Sequence, residues 1–466
     1  MRIDRSSYVC AGFESFSKMM DNYCLNKRGF FEDNFTRDEV AEFFNKTCNK
    51  FLHSYGQNFY DCRNISKYSD VEERRLTRCK AMKFFDKSEF ILDSGGFQIS
   101  INRIAKEHVH TFIDLYHTFL VERSHLYDKA FVLDIPPGPG CQMFDSFDDV
   151  YDLNLLTYKR ASNLPIHVKE KMIYIHHFRT PKLWEIYTKI MMEEELFNQF
   201  NYHGTGGIVA NSASDVNIPC IIYVLPLIPL LNQCKKYGRT KLNFHILGGA
   251  NYRDIFFYEL FKLHIMRKHQ IEVNITYDSS GMFKALLVAR HFLFFDEKLK
   301  CVNTIDVRSA NINKRFKGNR KVHDMIREEV DSLTARHGFK KIPEYRLKDI
   351  YNTEIDSIHD DVKHYMMLHL FETYARVEGY CKERALEIYP LYVEGNHQKF
   401  SEEVFDTTKR LNNEKITKKQ KIKSQSMIKS LDMLTDLDED MCKYIVDKVL
   451  VSDEFNELFH DTTLKF

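Results

Sequence analysis

The sequence predicts an α/β fold built on a parallel sheet. Six short apolar runs recur between residues 90 and 277, most of them followed by a longer helical stretch. They are apolar throughout rather than alternating, as strands buried on both faces are. Each run ends in a small or polar residue, at the edge where α/β proteins gather their chemistry.

Taken in order, residues 90–93 (FILD) precede SGGFQ, and 130–134 (AFVLD) precede IPPGPG. Residues 172–175 (MIYI) precede two histidines, 206–210 (GGIVA) precede NSAS, 244–247 (FHIL) precede Gly248-Gly249, and 273–277 (VNITY) precede Asp278. The first 85 or so residues are polar and aromatic, with helix-like stretches at 37–51 and 70–85. Past residue 300, long charged and apolar periodicity at 322–337 and 358–388 reads as an appended, mostly helical region. The expected division is 1–300 and 301–466.

Composition narrows the class. Of 466 residues, 44% are apolar and 29% charged, which excludes collagen-like, mucin-like and wholly disordered chains. A net charge of +1 points to no polyanion, so a basic surface must be local. Residues 308–321 supply one: Arg308, Lys314, Arg315, Lys317, Arg320 and Lys321, with no acid. Residues 409–429 supply another, and the tail from 431 onward is acidic. Each is a solvated helix face as readily as a phosphate contact. Eleven dispersed cysteines without a CxxC pair indicate reduced thiols and a cytoplasmic location. The charged start MRIDRSSYVC indicates no secretory leader. The longest apolar stretch, 218–231, is too short to span a bilayer and holds three prolines, so no membrane partner is expected. Abundant Phe and Tyr with scarce Trp, Pro and Gly fits an AT-rich genome such as many viruses have.

Three aspartates at strand ends, Asp93, Asp134 and Asp278, are the informative feature. Each alone is an N-cap of the next helix about as readily as a functional group. The most specific segment is Asp93-Ser94-Gly95-Gly96-Phe97-Gln98. A strand-end carboxylate followed by two glycines lets backbone approach a flat ligand, and Phe97 offers a stacking face.

This hexapeptide resembles the signature of the tRNA-guanine transglycosylase family, enzymes that exchange guanine in a nucleic acid for a 7-deazaguanine base. Further landmarks follow in the family's order: Asp134 in FVLDIPP, Gly206-Gly207-Ile208-Val209, His245-Ile-Leu-Gly248, and Tyr277-Asp278-Ser279-Ser280, the last closer to the archaeal form. The resemblance covers roughly residues 85–295 and implies a TIM-type (β/α)8 barrel. It implies Asp278 as nucleophile, Asp93 as the acid/base, and Asp134 as acceptor for the donor edge of the base. Ser94, Gly95 and Gly96 would line the base, Phe97 and Tyr277 would sandwich it, and amides near Gly206, Gly207 and Ile208 would donate to its carbonyl. His176 stands where the family carries a glutamine and would hydrogen-bond the base. A homodimer is consistent with the family.

The sequence departs from the family in one large respect. The CxCxxC zinc cluster after the nucleophile is missing, since only Cys301, Cys381 and Cys442 lie downstream. The expectation is therefore no metal and no cofactor, with the helical region in place of the zinc subdomain. The departure leans toward the divergent DpdA-type DNA-guanine transglycosylases, found in phages and bacterial modification clusters. DNA is the expected partner, held through its backbone by the basic residues at 308–321. Transglycosylation of tRNA, a non-catalytic nucleic-acid-binding subunit and a plain glycoside hydrolase are the alternatives; a single Trp disfavours the last.

Overall fold

The computed structural model describes residues 7–11, 37–56, 59, 65–80, 87–137, 141, 143–177, 181–206, 221–279, 291–306, 322–338, 360–411 and 418–443. Eight parallel strands close into a barrel in sequence order: β1 (Tyr8–Cys10), β2 (Lys50–Ser54), β3 (Glu89–Asp93), β4 (Lys129–Phe131), β5 (Met172–His177), β6 (Tyr202–Gly206), β7 (Lys241–Ile246) and β8 (Glu272–Ser279). Closure comes from β8 pairing with β1, with Val9 opposite Asp278. The fold is the expected TIM-type α/β barrel. A two-stranded antiparallel hairpin follows, β9 (His291–Asp296) with β10 (Cys301–Asp306).

The helices described are α1 (Arg37–Thr47), α2 (Ile65–Lys80), α3 (Gly96–Ser100), α4 (Val109–Glu122), α5 (Phe147–Ser162), α6 (Ile166–Lys169), α7 (Pro181–Glu193), α8 (Ile221–Lys236) and α9 (Tyr252–His269). Beyond the hairpin come α10 (Val322–His337), α11 (Asp360–Val393), α12 (His397–Leu411) and α13 (Lys418–Asp436). Local chemistry starts and stops them. A capping box between Ser146 and Asp149 opens α5. Asn251 caps α9, three basic residues fill its last turn, and Gln270 in a left-handed conformation ends it. Among the described residues no helix is long and apolar enough to cross a membrane.

The sequence reading missed β1 and β2 and set β6 too late, at 206–210 instead of Tyr202–Gly206. The residues of β6, YHGTG, carry little apolar signal. Its Gly204 is forced by packing, because a Cβ there would lie 2.8 Å from Ile175 and 2.9 Å from the His245 carbonyl oxygen.

Two apolar layers hold the barrel. Val9, Leu52, Ile91, Phe131, Ile173 and Ile175 plug its interior. A much larger layer lies between strands and helices. The plug makes the barrel a packed core, and the carboxyl ends of the strands form a floor above it.

The C-terminal helices are built into this scaffold. The half-buried Glu378 of α11 accepts hydrogen bonds from the Ser7 and Tyr8 backbone N–H groups (3.1 and 3.0 Å) and from the Tyr277 hydroxyl. Tyr374 stacks on Tyr8 with ring centroids 3.9 Å apart. α11 packs against both α9 and α1, the slot of a barrel's eighth helix. The expected boundary at 300 falls within the β9–β10 hairpin, which itself packs on α11. α13 is tied to α9 by His264, whose ring nitrogens meet Tyr389 Oη (2.9 Å) and Thr435 Oγ1 (3.0 Å).

Candidate active site

Strand alternation decides which side chains reach the site, since successive residues face opposite sides. Ile91 belongs to the interior plug, so Asp93, two residues on, also faces inward at the carboxyl end of β3. Val273, Ile275 and Tyr277 pack in the outer layer, which turns Thr276 and Asp278 of β8 inward. Asp134 lies beyond the end of β4, on an irregular stretch clamped by Asn154. The Asn154 side chain accepts from Ile135 N–H (2.8 Å) and donates to its carbonyl (3.0 Å), and Tyr187 Oη donates to Asn154 Oδ1 (3.1 Å).

Asp93, Ser94, Asp134 and His177 form one group. Ser94 Oγ donates to Asp134 Oδ1 (3.4 Å), and His177 Nε2 lies 2.6 Å from Asp134 Oδ2. The Asp93 carboxyl is pushed up to about 6, mainly by burial, and further by the negative charges of Asp134 and Asp278. The Ser54 hydroxyl and the Gly95 N–H pull against that rise. All three carboxylates therefore share one electrostatic neighbourhood.

The two glycines after Asp93 answer to the protein's own packing. Gly95 is left-handed (φ 83°), and a Cβ on it would sit 2.5 Å from Gly56 Cα. A Cβ on Gly96 would sit 1.7 Å from the Asp134 carbonyl oxygen. This close approach draws the Asp93 and Asp134 strand ends together, which is what the DSGG pattern accomplishes here.

Across the rim, Asp278 is held by different chemistry. Its Oδ1 accepts from the Gly248 N–H (2.8 Å) and lies 3.3 Å from His245 Nε2, while His245 Nδ1 meets Thr276 Oγ1 (3.0 Å). The His245 ring packs against Phe131 of the interior plug, 5.2 Å between centroids.

Two expected contacts are overturned. His176 faces outward into a buried aromatic cluster with Tyr174 and His203, its pKa well below the usual histidine value because of burial. The neighbouring His177 shares the inward face of Ile173 and Ile175 and reaches Asp134. Tyr277 also faces outward, to Glu378, and cannot sandwich a base in the barrel mouth. Gly206 sits against the His177 ring, where a Cβ would come within 2.6 Å of Cε1. Phe97, on the first turn of α3, is 65% exposed. Gly207 and Ile208 lie outside the described residues, as do Arg308, Lys314, Arg315, Lys317, Arg320 and Lys321.

The sequence reading overlooked His177, Ser54, Thr276 and Asn154, and used His245 only as a motif letter. Counting by twos back from His177 to Ile175 and Ile173 is the signal that separates the two histidines. Among the described residues no group of three His, Cys, Asp or Glu side chains is placed to hold a metal ion. The arrangement can donate a proton from Asp93 near neutral pH and present an oriented carboxylate at Asp278. Set against protein-family models and against curated proteins, the chain finds no match.

Proposed function

We propose that the protein is a transglycosylase that exchanges guanine in a polynucleotide, DNA in the first instance, for a 7-deazaguanine base. One observation carries this reading. Three carboxylates from β3, the segment after β4, and β8 meet at one end of the barrel, and their environments push them toward different tasks.

Asp278 attacks C1′ of the target nucleotide. The bond from C1′ to guanine N9 breaks, and the departing base takes a proton from Asp93. The product is a glycosyl ester on Asp278. An incoming 7-deazaguanine then gives its N9 proton to the Asp93 carboxylate and attacks C1′, and the Asp278 carboxylate leaves. Two inversions retain the β configuration, one glycosidic bond replaces another, and no nucleotide triphosphate is consumed. Asp134, oriented by His177 and Ser94, accepts from the N–H edge of the base. The target nucleotide must leave the stack to expose C1′, as enzymes acting on a base within a duplex require.

The test is incorporation of radiolabelled 7-cyano-7-deazaguanine into DNA and, in parallel, into unmodified tRNA. Incorporation into DNA is the expected result. Incorporation into tRNA alone would move the substrate to the alternative polynucleotide, and incorporation into neither would end the transglycosylase reading.

A further inference from the structure

Asp278 is reached by two N–H donors, and both go to the same oxygen. Gly248 N–H and His245 Nε2 approach Oδ1 at 2.8 and 3.3 Å, and these are the hydrogen bonds Asp278 makes among the described residues. An ionised carboxylate only accepts, so the histidine nitrogen facing it must carry a proton. In the neutral ring the other nitrogen, Nδ1, accepts the hydroxyl proton of Thr276 Oγ1, 3.0 Å away. The ring is wedged between Phe131 of the plug and the strand ends, with its side chain 3% exposed, so it has little freedom to turn.

We propose that His245 is a positioning residue: Thr276 fixes its tautomer, its Nε2–H holds Asp278 Oδ1, and Oδ2 is thereby left as the oxygen that attacks C1′. The proposal deepens, and rests on, the reading of Asp278 as nucleophile. It also gives the two donors a role in both displacements. In the first they fix the rotation of the carboxylate, so that one lone-pair direction points into the site. In the glycosyl ester Oδ2 carries the sugar and Oδ1 becomes the carbonyl oxygen. The same N–H groups then stabilise the charge that returns to the carboxylate as the C1′–Oδ2 bond breaks. At Asp134 the two partners, Ser94 Oγ and His177 Nε2, go to different oxygens, and at Asp93 burial and neighbouring negative charge outweigh the Ser54 and Gly95 donors. The arrangement therefore assigns the nucleophilic role by hydrogen bonding rather than by position in the chain.

Two measurements test this. The first is the ring-nitrogen spectrum of protein labelled with 15N-histidine, with the His245 signals assigned from His245→Gln. A proton on Nε2 and a bare Nδ1 are expected, and Thr276→Val is expected to spread the proton over both nitrogens. A proton on Nδ1, or a spectrum unmoved by Thr276→Val, overturns the proposal. The second is the rate of the covalent protein–polynucleotide adduct across pH. His245→Leu should slow it about 10- to 100-fold, the usual consequence of losing a hydrogen bond to a charged group. His245→Gln, whose amide N–H reaches the same oxygen, should stay within about threefold of the parent protein. Equal losses in both folded variants would reduce His245 to a packing residue. Absence of any adduct with the parent protein would instead sink the proposed activity, while the nitrogen spectrum still judges the tautomer.

Discussion

The two sides of the barrel mouth treat a carboxylate in opposite ways. On the β3–β4 side, Asp93 is half-buried beside a second carboxylate, and its acid form is favoured up to about pH 6. On the β7–β8 side, Asp278 is given a backbone N–H and a histidine nitrogen on one oxygen. Both aspartates end strands and face inward, and the written sequence hardly separates them. Their neighbours do: crowding and desolvation raise the one carboxyl despite its Ser54 and Gly95 donors, and two N–H donors on a single oxygen orient the other.

The sharpest way to break this contrast is to neutralise the oriented carboxylate. Asp278→Asn keeps the shape and an oxygen for the Gly248 and His245 donors, so stability should change by no more than about 1 kcal/mol. Adduct formation, read on denaturing gels, should fall on the order of 10⁴-fold, as it does when a nucleophile is lost while binding survives. Adduct at parent levels would place the attacking group elsewhere.

Neutralising Asp93 should do the reverse to stability. In the unfolded chain an aspartate titrates near ~3.9, while in the folded protein Asp93 titrates at about 6. Between these values the folded state keeps a proton that the unfolded chain has released. Stability therefore falls as pH rises through this window and levels off above about pH 7. Two units correspond to at most about 3 kcal/mol. Asp93→Asn, neutral at every pH, should gain up to about that amount at pH 8 and nothing near pH 3, measured as urea midpoints across pH. It should lose base exchange throughout. A gain independent of pH would mean the carboxyl is not crowded as described.

Much of the fold was legible because buried parallel strands write themselves as apolar runs, and β3, β5, β7 and β8 were read that way. β1 was missed because it is three residues long, and β2 (KFLHS) because it follows α1 closely enough to pass for its end. β6 was misplaced because two of its inward positions are Gly204 and Gly206, where packing against Ile175, His245 and His177 leaves no room for a side chain. The three site aspartates were legible as strand-end carboxylates. Their supports were not, because Asn154 lies 19 residues after Ile135 and His245 lies 33 before Asp278. Only the closed barrel brings them together. The packing role of Gly95 and Gly96 was not legible for a related reason: what they make room for, Gly56 and the Asp134 carbonyl, is distant in the chain.

The finest distinction, and the smallest expected effect, lies between two adjacent histidines. In MIYIHH both faces of β5 are apolar, so the pattern does not announce which face meets the site. The same change at each position separates them. His177→Leu leaves the buried Asp134 carboxylate without its 2.6 Å partner and should slow base exchange about 10- to 100-fold. His176→Leu removes a ring from the outward cluster of Tyr174 and His203, should cost about 1 kcal/mol of stability, and should leave the exchange rate within about twofold. Comparison of exchange rates with urea midpoints resolves the two. Loss of exchange in His176→Leu at unchanged stability would mean that β5 presents the opposite face to the base, and the alternation that brings His177 to Asp134 would be out of register by one residue.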